Sequence, residues 1–464
     1  MMFPKDFVWG GAASSYQVAG AAWRAGGGAS VWDMLGRHPG KINNGDTGEV
    51  ACDHYHRYRE DVRLMSEIGL QAYRFSVSWP RILPHGVGAI NAKGLDFYSR
   101  LVDALLEHGI TPWLTLFHWD FPYTLYCRGG WLNRDSADWF ADYTAIVVDK
   151  LSDRVSHWIT LNEPQCFIGM GHLDGTHAPG LQMGMAEVLL AAHHCLLAHG
   201  QAVQVIRARA RTTPLISAAQ ASLVSIPATD RPEDIAAARN SMFSIREQRV
   251  FNNSWFSDPM ILGRYPEDGM ALFESALPDI QGNDLATIHQ PLDYFGTNVY
   301  SGSYVRATVA GDFETVTKTD LPVTAMGWPV TPEALYWAPR FFHERYRLPI
   351  VITENGMASD DRVVEGRVHD QLRIDYLQQY LNEYSRAISD GVPALGYFLW
   401  SIIDNFEWAE GYARRFGLIH VDYATQQRTL KNSAYWYKAL IALNAGALTR
   451  AEAGQKPGSS HQAS

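Results

Sequence analysis

The chain of 464 residues has a formal net charge of −10 and carries no basic block. Nucleic-acid and membrane-surface partners usually require a positive patch, so neither is expected. Length alone would suggest two or three domains, but α/β barrels run this long as one unit.

Taken in order, residues 7–13 read as a first strand, closed by Ser14-Ser15-Tyr16-Gln17. Gly26-Gly27-Gly28 lacks the lysine and the strand–helix frame of a phosphate loop. A helix is expected over 53–67, where His54 and His56 point to different faces and make a poor metal pair. Strand two covers 72–80, and a helix at 95–107 has Gly109 as its stop. Strand three, 111–117, runs into His118-Trp119-Asp120. After a helix at 137–151, strand four ends at Asn162-Glu163-Pro164, where proline interrupts regular structure.

The long helix at 186–209 carries His193, His194 and His199, read as packing residues. Strand five covers 215–221, and helices follow at 232–240 and 243–256. Strand six, 293–298, ends at Asn298 with Tyr300 just beyond, before a polar, β-rich excursion over 301–323. After a helix at 332–346, strand seven is the apolar run Leu348-Pro349-Ile350-Val351-Ile352. It stops at Thr353-Glu354-Asn355-Gly356, because Asn-Gly reads as a turn. A helix at 370–389, strand eight at 394–401 and a helix at 432–443 complete the body, 1–449. The polar residues 450–464 are expected to form a disordered tail.

Strands alternating with helices imply a parallel sheet, and eight such units imply an α/β fold, a single (β/α)₈ TIM barrel with elaborated loops. In such barrels the functional groups lie at the C-terminal ends of the strands. Gln17, Arg74, His118, Asn162, Glu163, Asn298, Tyr300 and Glu354 all fall at or near such exits. Glu163 and Glu354, 191 positions apart, leave strands four and seven and can converge across the mouth. Two carboxylates flanking one site are the equipment of glycoside hydrolysis. A structural ion pair with Arg74 would explain one of them but not both. The 15 Trp and 22 Tyr suit a large core or a cleft where flat rings stack on sugars.

The quoted stretches carry a family resemblance, over about residues 3–438. Thr160-Leu161-Asn162-Glu163-Pro164 and Ile352-Thr353-Glu354-Asn355-Gly356 resemble the acid/base and nucleophile motifs of family 1 glycoside hydrolases, retaining β-glucosidases and their kin. The resemblance implies that Arg74 and Tyr300 support Glu354. It implies that Gln17, His118, Trp119, Asn162 and Asn298 hold the sugar, and that Trp400, Glu407 and Trp408 read its far hydroxyls. Trp328 resembles the aromatic platform on the leaving-group side. Glu407 speaks against a 6-phosphorylated sugar, whose charge it would repel. The chain departs from the family pattern at Ala19, Tyr123, His172 and Pro329, expected to cluster at the cleft entrance.

Arg74 and Tyr300 are expected to lower the pKa of Glu354, and Glu354 to raise that of Glu163. The implied partner is a small saccharide, with no metal or cofactor; His118 and Asp120 are too isolated for a metal set. A non-catalytic glycan-binding barrel is the competing reading, and self-association stays open. Cys52, Cys127, Cys166 and Cys195 show no C-x-x-C spacing and read as buried or incidental thiols. The stretch 394–403 is too short to span a membrane, and the N-terminus lacks a signal-peptide pattern, so a cytoplasmic protein is expected.

Overall fold

The structure, a computed structural model, describes residues 3–22 and 24–453. Eight parallel strands close a barrel: β1 (Val8–Ala12), β2 (Ala72–Ser76), β3 (Thr111–Phe117), β4 (His157–Asn162), β5 (Leu215–Ala221), β6 (Phe295–Asn298), β7 (Ile350–Asn355) and β8 (Ala394–Trp400). Each pairs with the next, and β8 pairs back onto β1. The strands are buried almost throughout, as parallel strands covered on both faces must be.

A ring of helices covers the outside, among them His54–Ile68, Ala92–Glu107, Ser136–Leu151, Met185–Arg209, Ala334–Tyr346, Gln371–Ser389 and Asn432–Ala453. Ala92–Glu107 shows why they form and where they pack. Phe97, Tyr98, Leu101, Val102 and Leu105 recur at helical spacing and are the buried stripe. Inside the barrel a second cluster gathers Ala12, Ala72, Trp113, Tyr294, Val351 and Phe398. The Trp113 ring lies 4.7 Å from Phe398 and 5.6 Å from Tyr294. A Cβ on Gly10 would come within 2.4 Å of the Phe398 ring, so glycine is what lets that ring fill the barrel. This packing makes the interior a solid floor, and chemistry is left to the strand exits.

Three differences from the expected elements have local causes. The helix expected at 243–256 is broken: one helix ends at Phe243 and the next is Ser254–Leu262. Asn252 accepts from the backbone N–H groups of Ser254 and Trp255, and Asn253 bridges the backbones of Leu223 and Met242. These side-chain bonds start the second helix and hold the break. The segment after Pro164 forms a π-helix, Gln165–Asp174, rather than a loop. The last helix runs on to Ala453, so residues 450–453 of the expected tail are helical, and 454–464 lie outside the described residues. The excursion at 301–323 is β-rich as expected. Gly302–Ala307 pairs antiparallel with Phe313–Val316 and parallel with Val224–Pro227.

A buried ionic cluster ties the segments after β7 and β8 together. Lys431 Nζ donates to Asp361 at 2.5 Å and to Asp404 at 2.7 Å, with no exposure of its own. Arg415 reaches Asp404 at 2.6 Å, and Arg373 reaches Asp361 at 2.8 Å and Asp370 at 2.5 Å. Three cations thus face three carboxylates, all but the partly exposed Arg415 away from water. Removing one charge leaves its partners buried and unanswered. Lys431→Met should cost about 3–5 kcal/mol of stability, measured by denaturant unfolding.

Candidate active site

Arg74 lies in the middle of β2, not at its exit, and its side chain spans the barrel mouth. Its Nη1 donates to Glu354 Oε1 at 2.7 Å and to the Thr353 carbonyl at 2.9 Å. Its Nη2 donates to Asn162 Oδ1 at 2.6 Å, and its Nε to Thr115 Oγ1 at 3.3 Å. The guanidinium is thereby satisfied on β3, β4 and β7 while buried. Tyr300 donates its hydroxyl to Glu354 Oε2 at 2.7 Å. The Tyr300 carbonyl is pinned by the hydroxyls of Tyr376 and Tyr380, each at 2.9 Å. A Cβ on Gly356 would lie 1.8 Å from the Trp400 carbonyl oxygen, so the turn after Glu354 packs on the end of β8 through a glycine.

Glu163 follows the last residue of β4 with a left-handed φ of 48°. Trp119 and Trp408 share that region with φ of 80° and 50°. Three L residues in a backbone state that only glycine enters freely mark the mouth as a strained surface. Asn298 Nδ2 donates to Glu163 Oε1 at 2.8 Å and to Asn162 Oδ1 at 3.1 Å. Thr353 Oγ1 donates to Asn298 Oδ1 at 2.6 Å, which orients that amide. Cys166 Sγ lies 3.3 Å from Glu163 Oε2.

The two carboxyls differ in electrostatics. Burial pushes Glu163 up to about 7 and the charge of Glu354 adds to this; Arg74 pulls weakly the other way, and among the described residues no cation pairs with Glu163. Burial also raises Glu354, against which Arg74, Tyr300 and Asn298 pull down. The expected net lowering of Glu354 is therefore not found, because desolvation outweighs its partners. Glu354 is the carboxyl in contact with the guanidinium, and the Arg74 charge leads the influences that favour its ionised form.

A wall of rings and amides faces these groups. His118 Nε2 lies 3.1 Å from Asn162 Nδ2, and burial followed by the Arg74 charge holds it well below the usual imidazole pKa, so it is neutral. Its ring stacks with Trp400 at 5.7 Å and Trp408 at 6.0 Å. Trp119 donates Nε1–H to the Asn162 carbonyl at 2.9 Å and packs on Trp408 at 4.5 Å. Gln17 Nε2 donates to Glu407 Oε2 at 3.3 Å, and Trp400 also hydrogen-bonds that carboxyl. Trp328 packs on Tyr300 at 5.2 Å and on Phe416 at 6.2 Å, half-buried.

All thirteen residues singled out in the sequence come into this neighbourhood, with Trp328 at its outer edge. Of the expected entrance residues, Ala19 is buried, and His172 is buried inside the π-helix with Nδ1 3.0 Å from the Phe167 carbonyl. Tyr123 and Pro329 keep partial exposure. Cys166 and Thr353, each one bond from a central group, were missed. Neither belongs to a periodic pattern, and a thiol in a polar stretch looks incidental. Among the described residues, no three His, Cys, Asp or Glu side chains gather as a metal site.

Two buried carboxyls on separate strand exits, only one of them beside a cation, are what cleavage of a glycosidic bond uses. The family model of Glycosyl hydrolase family 1 matches residues 1–446. Beta-glucosidase A of Thermotoga maritima is 45% identical over 446 residues, 95% of this chain and 98% of that protein. The 1,4-beta-D-glucan glucohydrolase of Thermotoga neapolitana is 46% identical over 449 residues, again 95% and 98%. The solved structure of the Thermotoga maritima beta-glucosidase in complex with glucoimidazole superposes with a TM-score of 0.87, covering 96% of this chain and 99% of that one. The chain belongs to glycosyl hydrolase family 1.

Glu407 yields a test of the site's cost. Burial, then the charges of Glu354 and Glu163, push it from 4.5 up to about 8. Between those values the folded protein holds a proton that the unfolded chain has lost, so stability falls as pH rises through this window. Glu407→Gln should raise the thermal midpoint by about 2–4 °C at pH 8 and change it little at pH 5, read by calorimetry.

Proposed function

We propose that this chain is a retaining β-glucosidase. It hydrolyses terminal non-reducing β-D-glucosyl residues of oligosaccharides such as cellobiose, and aryl β-glucosides, by double displacement. The observation that carries this reading is the contrast between the two carboxyls. Glu354 accepts from a cation and a phenol, while Glu163 accepts from an amide and a thiol. The first environment suits a nucleophile that works ionised, and the second an acid that works protonated.

In this reading Glu354 attacks the anomeric carbon while Glu163 passes its proton to the departing oxygen. The ester that forms removes the negative charge at Glu354. Glu163 then loses one of the influences that held it protonated, becomes a stronger acid and ionises. It next takes a proton from a water that attacks the anomeric carbon, and the sugar leaves with its configuration retained. Gln17, His118, Trp119, Asn162, Asn298, Trp400, Glu407 and Trp408 form the sugar pocket, with Trp328 on the leaving-group side. Glu407 is the acceptor for sugar hydroxyls, which favours an unphosphorylated glycone. Transfer to an acceptor sugar in place of water, and side activity on β-galactosides or β-fucosides, belong to the same reading. Residues 1–449 act as one catalytic unit. Four unpaired cysteines support a reducing, cytoplasmic compartment.

Glu354→Ala should lose roughly 10⁴-fold or more in kcat on an aryl β-glucoside. Added azide or formate should restore turnover and give the inverted α product by NMR. Substantial activity without an added nucleophile would sink the assignment. Glu163→Ala should spare the first step for good leaving groups, and azide should then yield the β-glucosyl azide. Activity needs Glu163 protonated in the free enzyme, so kcat/KM should fall as pH rises through about 7. A basic limb above pH 9 in a pH–rate profile would contradict this.

A further inference from the structure

Cys166 stands three residues beyond Glu163, at the start of the helix Gln165–Asp174, and is 6% exposed. The reaction as described does not use it, yet among the described residues it is the hydrogen-bond partner of Glu163 Oε2, with Sγ at 3.3 Å. The other oxygen, Oε1, faces an Asn298 N–H that Thr353 locks into the donor role. An amide N–H only donates, and the carbonyl oxygen of a protonated carboxyl is its better acceptor, which favours Oε1 as the carbonyl. The proton therefore belongs on Oε2, and the protein partner of Oε2 is the thiol.

A carboxyl that is an acid in one half-reaction and a base in the next needs a partner that suits both states. A thiol donates weakly to a carboxylate and accepts weakly from a carboxylic acid. A lysine, arginine or amide N–H would favour only the ionised state, and a methyl group would favour neither. We infer that Cys166 is a positioning residue for Glu163: its thiol holds Oε2 and exchanges donor for acceptor as that oxygen gives up and regains its proton. Burial, with the nearby Glu163 and Glu354 charges, pushes the thiol well above its usual pKa, which favours the S–H form. This inference rests on the acid/base reading of Glu163. The other groups that face or sense Glu163, namely Glu354, Arg74, Tyr300, Asn298 and Glu407, are the same in any variant at 166.

The test compares Cys166→Ala and Cys166→Ser with the parent, using p-nitrophenyl β-glucoside, pH profiles of kcat/KM and thermal midpoints. The thiol bond to the charged carboxylate is the stronger of its two roles, so alanine costs the ionised form more and the Glu163 pKa rises. The basic limb of kcat/KM should move up by about half a pH unit. With a dinitrophenyl glucoside, whose second step limits turnover, kcat on the acid limb of its pH profile should fall by up to about threefold, because Glu163 ionises less readily in the glycosyl-enzyme. Serine keeps both hydrogen-bonding roles and should bring the limb back toward that of the parent. An alanine limb that overlays the parent's, with or without a drop in thermal midpoint, overturns the inference, and so do serine and alanine limbs that shift alike. An active parent with an unchanged alanine limb refutes the role of Cys166 alone. A parent inactive on the β-glucoside refutes the glucosidase reading first.

Discussion

The guanidinium of Arg74 is the interaction on which the mouth of this barrel depends. A charge on the third residue of a five-residue barrel strand has no water to answer it, so the protein must. Thr115 on β3, Asn162 on β4, and Thr353 with Glu354 on β7 all turn an oxygen to it. Because β2, β4 and β7 are not neighbours in the ring, one planar cation sets the relation between strand exits that no sheet hydrogen bond connects. Asn162 then passes this order to Asn298 and His118, and Asn298 passes it to Glu163.

The same cation sets the electrostatic ranking. Glu163, Glu354 and Glu407 are all buried near one another, and the one guanidinium acts on Glu163 and Glu354. Only Glu354 touches it; burial raises all three carboxyls, Glu163 to about 7 and Glu407 to about 8. Differentiating chemically identical side chains by their neighbours is how one site can contain both an acid and a nucleophile. His118, pressed between Trp400 and Trp408, adds no competing charge because burial keeps it neutral.

Such a site opposes folding, and the rest of the molecule compensates. Trp113, Tyr294 and Phe398 close the barrel interior below it. The ionic cluster around Lys431 and Asp404 fastens the segment that carries Glu407 and Trp408 to the helix starting at Asn432. Positive φ at Trp119, Glu163 and Trp408 persists because each ring or carboxyl is held by several partners.

Apolar runs bounded by turn signals were enough to place all eight strands, because a parallel strand covered on both faces must be apolar whatever lies next to it. Strand exits such as Asn162-Glu163-Pro164 and Glu354-Asn355-Gly356 were legible for the same local reason, and with them both carboxyls. Features set by distant partners were not legible. The break before Ser254 depends on Asn253 meeting Leu223 and Met242, and the burial of His172 depends on a π-helix that no periodicity announces. The sequence alone assigned each carboxyl a strand. The family resemblance already set Arg74 beside Glu354; only the tertiary structure supplied the thiol at Glu163 and showed burial outweighing the partners of Glu354, because desolvation and contact are properties of the folded interior and not of any stretch of chain.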